Sequence, residues 1–75
     1  MYKSELDKKA AAALRYLIAH TETNTRAVAE GTGIAQPTIS MLMTGKAYWR
    51  LDHVERFANF FGVRSKFFLE WHIKN

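Results

Sequence analysis

Along most of this 75-residue chain, apolar residues recur every three or four positions, and no stretch alternates apolar with polar for long. That pattern predicts helices and argues against strands. The first helix-length piece runs from about Ser4 to His20, with Leu6, Ala10, Ala13, Leu14, Leu17 and Ile18 on one face. Ser4, three residues ahead of Asp7, forms a capping pair at its start. Lys8, Lys9 and Arg15 decorate the outer surface, and the alanine run Ala10–Ala13 suits close approach of another helix. His20–Thr23 is polar and reads as a turn, after which Asn24 caps a helix over Thr25 to about Gly31 with Val28 and Ala29 inward.

Gly33 marks a chain reversal, where a left-handed backbone is tolerated. Gln36–Met43 then forms a third helix. Pro37 fits its first turn, where a missing amide hydrogen costs little, and Ile39 and Leu42 point to the core. Gly45 ends it. A loop, Lys46–Arg50, leads to a fourth helix over Asp52–Phe61, with Asp52 and Glu55 as its capping box and Val54, Phe57, Ala58 and Phe61 as its buried face. After Gly62, Ser65 caps a short last helix through about Ile73. The expected architecture is one all-α domain spanning residues 1–75.

Composition narrows the class. The chain has no cysteine, so no disulfide or thiolate metal site braces it, and stability rests on packed side chains. The longest unbroken apolar run, Ala10–Leu14, is far below the ~20 residues of a membrane span. The opening MYKSELDKK lacks the apolar stretch of a secretory signal, and a cytoplasmic setting is expected. His20, His53 and His72 lack metal-ligand spacing, and Ser40 has no histidine partner for nucleophilic catalysis. No metal, cofactor, small-molecule ligand or enzymatic activity is expected. The net charge of +4 favours polyanions, although many soluble proteins share such a balance.

The more specific signal is the segment TRAVAEGTGIAQPTISMLMTG, from Thr25 to Gly45. Two short helices joined by a tight glycine turn form the pattern of a helix-turn-helix, in which the first helix braces the second and the second presents its N-terminal side chains to base edges. These residues resemble the lambda-repressor-like helix-turn-helix domains of the Cro and phage-repressor type. The resemblance is carried by Ala29, Gly33-Ile34, Gln36-Pro37-Thr38-Ile39-Ser40 and Gly45. It continues through Leu51, Val54, Phe57, Ala58, Phe61 and Val63, which fall where that family places its fourth-helix core.

The resemblance covers roughly Lys8–Leu69 and implies a five-helix fold, sequence-specific binding to operator DNA and a dimer. It places base reading at Gln36, Pro37, Thr38, Ser40 and Met41, with phosphate contacts at Asn24 and Thr25 and near Thr44 and Lys46. Gln36 suits an adenine edge, because its amide both donates and accepts; Thr38 or Met41 suits a thymine methyl. Arg26 lies beside the phosphate positions and adds charge.

Two departures stand out. Ala35 replaces a serine-like cap, a loss of about 1 kcal/mol. No residue from Gly31 to Gly45 is charged, so the recognition helix has no arginine or lysine to grip guanine. Three readings remain open. Recognition rests on Gln36 and apolar contacts; or Arg26, Lys46 and Arg50 reach in from the flanks; or the motif has lost DNA binding. Gln36, Thr38 and Ser40 would also suit the exposed face of an ordinary helix, and Lys3, Lys8 and Lys9 read as a solvated face.

Aromatic residues crowd the end of the chain. Phe60, Phe61, Phe67, Phe68, Trp71 and Ile73 lie close together in sequence, and Tyr48-Trp49 is near. An exposed apolar patch marks an interface, which predicts a homodimer through Phe67, Trp71 and Ile73; the competing reading is that these rings complete the monomer core.

The preferred function is a transcriptional regulator of the Cro or small phage-repressor kind, bound to a palindromic operator in a bacterial or host-cell cytoplasm and associated with the nucleoid. The short length favours a protein without a separate sensing domain. A restriction–modification controller or an antitoxin shares this expected fold. The rival from another class is a protein-binding module, such as an anti-repressor, that uses the scaffold and aromatic patch without DNA.

Overall fold

A computed structural model describes residues 2–71. Among them are five α-helices and no strand: α1 (Glu5–His20), α2 (Thr25–Thr32), α3 (Gln36–Thr44), α4 (Leu51–Phe61) and α5 (Ser65–Leu69). Local chemistry accounts for most of the ends. Ser4 Oγ accepts from the Asp7 amide at 3.1 Å and starts α1. Asn24 Oδ1 accepts from the Ala27 amide at 2.9 Å and starts α2. The C-caps of α2 and α3, Gly33 and Gly45, have φ of 78° and 83°, a left-handed conformation that costs a residue with a Cβ.

The starts of α4 and α5 differ from the sequence-based expectation. Arg50, not Asp52, is the N-cap of α4. Counting from Arg50 puts His53 at the third helical position, and its Nδ1 accepts from the Arg50 amide at 3.1 Å. Arginine has no acceptor to return, so only this half of a capping box forms. Asp52 instead turns its carboxylate to Arg50 Nε at 3.1 Å and Arg56 Nε at 3.9 Å. Similarly, the Arg64 carbonyl accepts the first α5 bond, from Phe67 N at 2.9 Å, so Arg64 holds the N-cap position and Ser65 is already helical. The helix ends at Leu69. Ile73, the expected end of that helix, lies outside the described residues.

α1 packs against α3, α4 and α5, and α2 packs against α3 and α4. Between them Leu14, Val28, Ile39, Leu42, Phe57 and Phe68 are fully buried. Each such side chain contributes on the order of 1.5–3 kcal/mol. Two residues assigned to the core are not in it. Leu6 is 47% exposed, because the first turn of α1 is covered on the Asp7 side, where the α3–α4 loop docks. Leu51 is 64% exposed; it begins α4 one turn ahead of Val54, the first residue of that helix to enter the core. Phe61 and Val63 are half-buried at the edge of the core.

Candidate nucleic-acid interface

α2, the turn and α3 form a rigid corner. The Gly33 amide donates to the Ala29 carbonyl at 2.9 Å, and the next amide, Ile34 N, donates to Thr32 Oγ1 at 3.2 Å. Ile34 is buried beneath the turn. On α3, Ile39 and Leu42 lie three residues apart and are fully buried, which points the opposite face outward. That face carries Gln36, Pro37, Ser40 and Met41, all exposed, with Thr38 half-buried beside them. It offers an amide, a hydroxyl, a ring and a thioether, and no charge.

Gln36 is not loose on this face. Its Nε2 donates to Thr25 Oγ1 at 3.0 Å, joining the first residue of α3 to the first residue of α2. The amide oxygen and the second N–H bond to no group among the described residues, so both polar ends remain for an outside partner. Asn24 spends its oxygen on the α2 cap and keeps its NH2. Thr44 Oγ1 donates back to the Ser40 carbonyl at 2.9 Å.

The flanking cations are not equivalent. Arg26 lies 3.9 Å from Glu30 in a pair exposed on both sides, and Arg50 lies 3.1 Å from Asp52. Such surface pairs are weak and exchange readily for another anion. Lys46 is exposed, directly after α3, and pairs with no carboxylate among the described residues. Burial lowers the pKa of His53 below its ordinary value; Asp52 opposes that shift, while Arg50 and Arg56 add to it.

Several residues that hold α3 escaped sequence reasoning. Trp49 Nε1 donates to the Leu42 carbonyl at 3.0 Å, and the Trp49 ring packs against Phe57 and Phe68 at 5.3 and 6.1 Å. The Trp49 amide donates to the buried Asp7 carboxylate at 3.2 Å. Tyr2 and Arg15 both donate to the Met43 carbonyl. These partners are separated by 7 to 42 residues, so no local spacing signals them.

A family model described as the Cro/C1-type HTH DNA-binding domain matches residues 13–71. The chain belongs to this family. Comparison with curated proteins and with solved structures gives no significant match. As a Cro/C1-type domain the chain is a DNA-binding helix-turn-helix protein, with α2 and α3 as the two helices of the motif. Among its described residues no helix is long and apolar enough to cross a membrane.

The aromatic residues of the domain divide between core and surface. Phe68 is fully buried, whereas its neighbour Phe67 is half-buried at 5.1 Å from Trp71. Tyr16 of α1 lies 4.8 Å from the Trp71 ring and stacks on His20 at 4.0 Å. Phe67, Trp71, Tyr16 and His20 thus form an aromatic row along α1, α5 and the segment that follows α5.

Proposed function

We propose that this Cro/C1-type domain is a transcriptional regulator that binds operator DNA as a homodimer, with α3 in the major groove. The observation that carries the reading is the two-sided build of α3. Ile39 and Leu42 anchor it, and the opposite face offers Gln36, already oriented by Thr25, together with Pro37, Thr38, Ser40 and Met41. Gln36 reads an adenine edge, and Thr38 or Met41 meets thymine methyls. Phosphates are held by Asn24, Thr25 and Thr44, by the free N–H groups at the start of α2, and by Lys46, with Arg26 and Arg50 released from their surface pairs.

The aromatic row of Tyr16, Phe67 and Trp71 is the self-association surface, and it sets two copies of α3 on half-sites about one helical turn apart. The chain acts as a binding protein rather than an enzyme, in a prokaryotic or host-cell cytoplasm where its operator lies.

Selection of bound duplexes from a random pool, followed by titration at several salt concentrations, tests the reading. One preferred, palindromic sequence and a steep loss of affinity with salt are expected. No binding at low salt overturns the proposal. The absence of charge on α3 favours the rival, a protein-binding module working through the aromatic row. Sedimentation of the chain alone tests the dimer, and Trp71→Ser is expected to give monomers.

A further inference from the structure

Side chains far apart in the sequence meet at the C-terminal end of α3. The Tyr2 hydroxyl donates to the Met43 carbonyl at 2.8 Å. Arg15 Nη1 donates to the same carbonyl at 2.8 Å and to the Tyr2 oxygen at 2.7 Å. The triangle uses its groups fully: two lone pairs on the carbonyl oxygen, two hydrogens on Nη1, one on the phenol. The guanidinium also lies 5.9 Å from the centre of the Tyr2 ring. One residue earlier, Trp49 Nε1 takes the Leu42 carbonyl.

A helix end leaves carbonyls unpaired and carries partial negative charge, so three donors, one of them cationic, suit this place. The other end of α3 is held more lightly: Ala35 makes no side-chain cap bond, and the Gln36 side chain donates to Thr25 Oγ1 at 3.0 Å. α3 is therefore gripped behind its reading face, by α1 and the segment that precedes it.

We infer that Tyr2 and Arg15 are positioning residues for sequence reading, fixing the tilt of α3 through the Met43 carbonyl; this rests on the DNA-binding reading above. The lever is direct. α3 has nine residues, about 13 Å along its axis, so a tilt of about 10° about its C-terminal end moves Gln36 by about 2 Å. That exceeds the half-ångström range of a good hydrogen bond. Tyr2 carries no charge, so its effect on DNA is separable from phosphate attraction.

The test compares binding to the duplex selected from a random pool with binding to a scrambled duplex of equal length. Tyr2→Phe removes the hydroxyl and leaves charge unchanged. It is expected to lower the selected-to-scrambled affinity ratio about fivefold, the equivalent of one hydrogen bond, with scrambled binding and its salt slope unchanged. Arg15→Lys keeps the charge without the two-point contact and is expected to lower the ratio in the same way; it decides the matter if Tyr2→Phe does not fold. A folded variant with the parental ratio overturns the inference. A parent chain with no preference for any duplex overturns the DNA-reading proposal itself, a result distinct from the first.

Discussion

Gln36 and Thr25 share a 3.0 Å hydrogen bond across the corner of the helix-turn-helix, so the residue proposed to read a base is held before any base arrives. Holding the amide in advance reduces the entropy lost on binding. Gln36→Ala is expected to cost about 1–3 kcal/mol in operator affinity and to relax discrimination at one base pair. Thr25→Val removes the acceptor with little change of shape and is expected to cost about 1 kcal/mol. Because the two residues act together, the double variant should lose less than the sum of the single losses. Additive losses in a double-mutant cycle would show that Thr25 does not orient Gln36.

Lys46 is expected to contribute affinity without specificity. It is exposed next to the end of α3 and no carboxylate among the described residues neutralises it. Lys46→Ala should weaken selected and scrambled duplexes alike and flatten the logarithmic salt slope by about 0.9, the value for one lost phosphate contact. An unchanged slope would remove Lys46 from the proposed phosphate contacts.

Asp7 ties the α3–α4 loop to the first turn of α1. It is 3% exposed, and its Oδ1 accepts from the Trp49 amide, while Oδ2 has no hydrogen-bond partner among the described residues. Asp7→Ala strands that amide and is expected to destabilise the fold by about 1–3 kcal/mol. Urea unfolding should show a lower midpoint with an unchanged slope. Equal midpoints would mean that the loop is held by the Trp49 ring alone.

His53 makes stability depend on pH. Its Nδ1 accepts the Arg50 amide only while the ring is neutral there, and burial holds its folded pKa below the ordinary 6.5. The unfolded chain therefore takes up the proton first as pH falls. The stability this neutral form confers is present above about pH 6.5 and is lost as pH drops through the lower folded value. His53→Gln retains an acceptor that does not titrate in this range, so the fall in melting temperature between pH 7.5 and 5 should be shallower than in the parent. Parallel curves would exclude the His53 cap as the cause.

The sequence by itself determined the elements whose causes lie within a few residues. Ser4, Asn24, Pro37, Gly33 and Gly45 act on their own helix ends, and three- and four-residue spacing marks Leu14, Val28, Ile39, Leu42 and Phe57 as core. The outward face of α3 follows from the same spacing, which is why the exposure of Gln36, Pro37, Ser40 and Met41 and the lack of charge there were legible.

The start of α4 is local as well, although it falls at Leu51 rather than Asp52, with His53 rather than an acidic pair at its cap. Tertiary structure decided the rest. Phe67 and Phe68 are adjacent and equally apolar, yet successive residues of a helix point about 100° apart, and only packing against α1 and α4 determines which one is buried. Tyr2, Arg15 and Trp49 reach the last turn of α3 across the fold, where a hydrogen bond depends on distance in space and leaves no spacing to read.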